Sequence, residues 1–130
     1  MPKIVIVDDD AAARQAVTTR LTRAGFDVLS AEDPDAASKL VMRERPDAIL
    51  VDISPPPAAG MNFRQCLQLS DVEDDIPIIC MSGHGGISNR QEAFRHGAKG
   101  YVSSPYDPHE LISTVTSVLS AKPASAAPSA

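Results

Sequence analysis

The chain lacks any apolar run near the roughly 20 residues that a bilayer-spanning helix needs, so no transmembrane segment is expected. It also lacks a basic excess. Its 12 Lys and Arg face 17 Asp and Glu, for a formal net charge of −5. Such a balance argues against a nucleic-acid surface. Cysteine is scarce: Cys66 and Cys80 lie far apart with no metal-ligand spacing. Two reduced core thiols are expected, not a disulfide or a zinc site. No signal segment precedes the first strand-like run, so the cytoplasm is the expected compartment.

What the chain does have is alternation. At 130 residues and 43% apolar, it suits one domain with a real core. Short β-branched apolar runs at residues 3–7, 26–30, 48–51, 76–81 and 100–103 predict strands. Helical patterns follow them at 11–24, 35–43, 62–69, 88–96 and from Pro108 onward. Asp10, Asp33 and Asp107 are placed as N-caps, with Pro34 and Pro108 in first turns and Gly25 as a stop. Leu111, Ile112, Val115, Val118 and Leu119 give the last helix an apolar face. Five βα units imply a parallel sheet with helices on both faces and right-handed crossovers. The domain is expected over residues 1–120. Residues 121–130, rich in Ala, Pro and Ser, read as a flexible tail or the start of a linker.

The chemistry-bearing residues sit where strands end. Asp8, Asp9 and Asp10 follow Ile4-Val5-Ile6-Val7, and Asp52 follows Ala48-Ile49-Leu50-Val51. If those strands are parallel neighbours, the carboxylates converge at the carboxyl edge of the sheet, where sites form in open α/β folds. Clustered carboxylates repel one another. An all-oxygen donor set suits Mg²⁺ or a similar hard cation.

Taken together, these residues resemble the receiver domain of two-component response regulators, over about residues 2–119. Val7-Asp8-Asp9 resembles the acidic pair after strand one. Asp52 and the loop to Gly60, with Pro56, resemble the phosphoacceptor and its following loop. Met81-Ser82-Gly83 resembles the turn after strand four, and Gly97 to Pro105 the strand-five signature. The resemblance implies a flavodoxin-like fold with strand order 2-1-3-4-5. It implies a phosphoryl group moving from a histidine kinase or a histidine phosphotransfer protein onto Asp52, with Mg²⁺ held by Asp8, Asp9, Asp52 and the backbone carbonyl of Ser54. Ser82 and Gly83 would receive the phosphoryl oxygens, and Ser82 and Tyr101 would act as switch residues. A downstream effector protein is a further expected partner. The protein would be no enzyme beyond its own phosphorylation and dephosphorylation. One position departs from the family. The lysine before the strand-five proline is replaced by Ser104, ahead of Pro105, and Lys99 falls at the opposite end of the strand.

Other classes fit poorly. A dehalogenase-like phosphatase needs an acid two residues after its nucleophile, where Ser54 stands. A dinucleotide site needs glycines after strand one, and Asp8-Asp9-Asp10-Ala11 has none. Ser82 lacks the glycine context of a hydrolase elbow, since Cys80 holds the first glycine position. The alternative that stands is a pseudo-receiver, an interaction module on the same fold that takes no phosphate. Ser104 and the Pro55-Pro56-Pro57 run favour it; the retained acids oppose it. Taken singly, Asp10 is a helix cap, Tyr101 a core aromatic and His84 a solvated loop residue.

Overall fold

The computed structural model describes residues 1–52, 76–82, 87–95, 97–103 and 106–121. The apolar runs form β1 (Lys3–Val7), β2 (Asp27–Ala31), β3 (Ala48–Asp52), β4 (Ile78–Ser82) and β5 (Gly100–Ser103). All neighbours pair in parallel, in the order β2-β1-β3-β4-β5. Helices α1 (Ala11–Arg23), α2 (Pro34–Glu44), α3 (Ile87–Arg95) and α4 (Pro108–Ser120) cover its faces. Among the described residues, no helix is long and apolar enough to cross a membrane.

Strand alternation divides the core in two. Ile4, Ile6, Leu50, Ile79, Met81 and Val102 pack with Val17 and Leu21 of α1 and with Leu111, Val115 and Val118 of α4. Val5, Val7, Ile49, Val51, Ile78, Cys80 and Tyr101 pack with Ala37 and Val41 of α2 and Ala93 of α3. The central strands are thus buried on both sides, which is why they read as continuous apolar runs.

The three aspartate caps form as expected. Asp10 accepts from the backbone N–H groups of Ala12 and Ala13, Asp33 from Ala36, and Asp107 from His109. Boundaries shift where backbone chemistry overrides the apolar pattern. Phe26, expected to open β2, still donates its N–H back to the Leu21 carbonyl at 3.1 Å. It belongs to the turn leaving α1, which Gly25 makes at φ +99°. Ile76, expected to open β4, precedes Pro77, which has no N–H for the ladder. The strand therefore begins at Ile78 and runs on to Ser82. The helical pattern at 62–69, the prolines of 54–60, Cys66, Gly83 to Gly86, and the tail from 122 lie outside the described residues. Cys80 is a free, buried thiol, as expected of a core cysteine.

Gly100 is where α4 comes closest to the sheet. A Cβ there would stand 3.0 Å from the Cγ2 atoms of both Thr114 and Val118 and 3.4 Å from Ile79 Cγ1. Both 3.0 Å neighbours are β-branched residues in a helix, with little rotamer freedom to yield. Gly100→Ala should therefore lower stability by about 1–3 kcal/mol, the usual cost of overpacking, in urea unfolding. An unchanged midpoint would mean that α4 can back away from β5.

Candidate functional site

The site is built by two central strands from distant parts of the chain. Val7 lies opposite Val51 in the β1–β3 register, so Asp8 and Asp52 emerge side by side at the carboxyl edge. On the far side of β3, Asp52 pairs with Met81, which places Ser82 one residue farther along β4. Ser82 in turn is level with Ser103 at the end of β5. The topology thus brings Asp8, Asp9, Asp52 and Ser82 to one edge. Ser54, Gly83, Ser104 and Pro105 lie outside the described residues.

The two adjacent acids of the β1–α1 turn differ in kind. Asp8 is 1% exposed and is the buried charged residue of the described chain. Asp9 is exposed. Backbone bonds cause this. The Asp8 N–H donates to the Ala31 carbonyl of β2 at 3.1 Å, which continues the sheet one residue past β1. The Asp8 carboxylate turns back to accept from the Asp10 N–H at 2.9 Å. Its backbone carbonyl accepts from Arg14 Nη1 at 2.7 Å. Asp10, as N-cap, points its own carboxylate into the first turn of α1.

Burial pushes the Asp8 carboxyl from 3.8 up to about 7, and the Asp10 N–H opposes that by stabilising the anion. Asp52 raises it further, by its charge and by a hydrogen bond between the two carboxyl groups, and Asp9 adds a smaller push. Two carboxyls in contact in a low-dielectric place cannot both be charged at low cost. Near neutral pH the pair holds a proton or calls for a cation.

The donor set fits a hard divalent ion, because Mg²⁺ takes one or two carboxylates and keeps several waters. Asp8 and Asp52 emerge side by side at this edge, with Asp9 exposed next to Asp8. Among the described residues, no three His, Cys, Asp or Glu side chains are gathered as a metal cage.

Tyr101 is buried, and its hydroxyl has no hydrogen-bond partner among the described residues. Lys99 is exposed and donates its backbone N–H to Ile78 O at 2.8 Å, at the amino end of β5. It lies at the opposite edge from the acids, as its sequence position implies. Two residues near the site escaped the sequence pattern. Arg14 reaches back along α1 to the acidic turn. Tyr106 packs half-buried on the α1–α4 core, close enough for Arg20 and Asp8 to act on its hydroxyl, which burial raises. A long basic side chain one turn after a cap was the available signal for the first. The second carried none.

Comparison with known proteins agrees with this architecture. Residues 4–116 match the family model of the response regulator receiver domain. The phosphate regulon transcriptional regulatory protein PhoB of Pseudomonas aeruginosa is 33% identical over 116 residues, covering 89% of this chain and 51% of that protein. The DNA-binding dual master transcriptional regulator RpaA of Synechocystis sp. is 33% identical over 119 residues, covering 92% of this chain and 49% of that protein. The chain spans about half the length of these curated relatives. Among solved structures, the chemotaxis protein CheY4 of Vibrio cholerae superposes with a TM-score of 0.79 at 28% identity, covering 91% of this chain and 98% of that one. The receiver domain of the Francisella response regulator 1452 gives 0.81 at 25% identity, covering 93% and 98%.

Proposed function

The chain belongs to the response regulator receiver domain family of two-component systems, and from that premise we propose that Asp52 is its phosphoacceptor. An Asp52 carboxylate oxygen attacks the phosphorus of a phosphohistidine on a histidine kinase or a histidine phosphotransfer protein. The P–N bond breaks as the P–O bond forms. The products are an acyl phosphate on Asp52 and a free imidazole that takes up a proton. The observation that carries this reading is the buried Asp8 carboxyl held against Asp52 at the carboxyl edge of the sheet.

Asp8 and Asp52, with Asp9 and the Ser54 carbonyl, are the groups that would hold Mg²⁺. When bound, the ion supplies the positive charge that lets an anionic phosphoryl group approach carboxylates. Asp8 fixes the orientation of Asp52. Ser82 would donate its hydroxyl to a phosphoryl oxygen, and the Gly83 backbone N–H would donate to another. Tyr101, on the strand next to β4, responds to that movement as a switch residue. Ser104 replaces a cation with at most one neutral hydrogen bond, about half as strong as a charge-assisted one. The conformational response we propose is therefore muted. Residues 1–120 form the signalling unit, acting in the cytoplasm on an effector protein.

A pseudo-receiver that takes no phosphate would share the fold. The buried Asp8 beside Asp52 speaks against it, since a buried carboxyl next to a second acid weakens the sheet and has no use without phosphate chemistry. Intact-mass analysis after incubation with a small acyl phosphate donor and Mg²⁺ tests the proposal. One added phosphoryl group, mapped to the Asp52 peptide, is expected. Phosphate on Ser82 or Ser104, or none at all, overturns it.

A further inference from the structure

We infer that Arg14 is a positioning residue for the acidic turn, setting how Asp8 and Asp9 are presented to the cation. Its guanidinium is half-buried and donates Nη1 to the Asp8 backbone carbonyl at 2.7 Å. That carbonyl belongs to the peptide unit joining Asp8 to Asp9, the two residues whose carboxylates must diverge. Asp8 turns inward to Asp52, and Asp9 stays at the solvent edge. Three other bonds hold the turn. The Asp8 N–H is tied to Ala31, the Asp8 carboxylate to the Asp10 N–H, and the Asp10 carboxylate to the start of α1. None of them fixes the Asp8 carbonyl. Among the described residues, Arg14 is the group bonded to this carbonyl and so sets the plane of the Asp8–Asp9 peptide, and a charge-assisted bond of that length is a strong one.

Arg14 is itself anchored. It lies in the first turns of α1, where its N–H is bonded to the Asp10 carbonyl at 2.9 Å and its own carbonyl accepts the Thr18 hydroxyl at 2.8 Å. The guanidinium is thus carried on a rigid element capped by the same acidic turn that it clamps. Removing it frees the peptide to rotate. Asp9 then loses its fixed direction, while Asp8 keeps its bonds to Ala31 and Asp10. Partners of this kind around metal ligands typically govern affinity by tenfold or more.

The inference rests on the proposed Mg²⁺ and phosphate chemistry, and the test separates the two. Mg²⁺ is titrated into the parent, Arg14→Met and Arg14→Lys, followed by amide shifts of the Asp8–Asp10 turn. Thermal unfolding without metal is recorded for each. Arg14→Met should bind Mg²⁺ roughly tenfold more weakly. Arg14→Lys, which keeps one charged donor, should recover part of the loss. Phosphorylation by a small acyl phosphate donor needs no kinase contact. At saturating Mg²⁺ it should proceed in Arg14→Met at near the parental rate, with the defect confined to the Mg²⁺ concentration required. If the parent binds no Mg²⁺, the proposed function and this inference fall together. If the parent binds and Arg14→Met binds equally well, the inference alone is overturned. A lowered unfolding temperature with unchanged Mg²⁺ affinity also overturns it, since the bond then serves stability only. Should Arg14→Met fail to fold, parental affinity in Arg14→Lys together with equal affinity in Arg14→Gln overturns it.

Discussion

Asp52→Asn should take up no phosphoryl group from any donor, while its fold survives. The amide is isosteric but lacks the nucleophilic oxygen, and no other strand-end carboxylate can replace it. Asp8 is buried and tied to the Asp10 N–H, and Asp9 is exposed beside the pair. The loss should therefore be complete, read as an unshifted intact mass beside a shifted parent. Metal-free Asp52→Asn should unfold no more easily than the parent, because a neutral group now faces Asp8. Residual phosphorylation above a few per cent of the parent would move the acceptor elsewhere.

Asp8→Asn should produce the largest change in stability, and its size depends on pH. The Asp8 carboxyl titrates at about 7 in the folded protein against 3.8 for the ordinary group. Between those values the folded state keeps a proton that the unfolded state has released. Stability therefore falls as pH rises from about 4 to about 7, and stays low above that. Asparagine does not titrate, so metal-free Asp8→Asn should be the more stable protein at pH 8, with the advantage shrinking toward pH 4. Carboxylates away from the acidic turn and Asp52 contribute equally to both proteins and cancel in the difference. Urea unfolding across that range, without divalent cations, gives the comparison. A gap of equal size at pH 5 and pH 8 contradicts the titration assigned to Asp8. Added Mg²⁺ should stabilise the parent more than the variant, because binding to the folded state alone raises stability by mass action.

The parts of this molecule that show in the sequence are those decided by neighbours in the chain. β1, β3 and the caps Asp10, Asp33 and Asp107 follow from short patterns, and the structure reproduces them. The strand order also matches the one implied by the family resemblance. Boundaries shifted at Phe26 and Pro77, where a hydrogen bond back to α1 and a missing N–H outweigh apolar character. The convergence of Asp8 and Asp52 was legible because both directly follow strands that pair. Which of Asp8 and Asp9 turns inward was not. That choice is made by the Asp8 N–H on β2, which leaves no trace in local residue pattern, and by Arg14, whose one sign is a long basic side chain a turn after the cap. Tyr106 was invisible for the same reason, since its place depends on how α4 leaves β5 and meets α1.

The pairing of β1 with β3 has a consequence for how the chain comes to be competent. The acid pair does not exist in any segment that ends before residue 48, because Asp52 arrives only when β3 docks beside β1. A growing or partly folded chain thus carries Asp8 and Asp9 with no acceptor beside them. With Asp52 as the proposed acceptor, acceptance of phosphate would be a property of the completed sheet centre, and a phosphodonor meeting this protein during synthesis would find nothing to modify until that seam has closed.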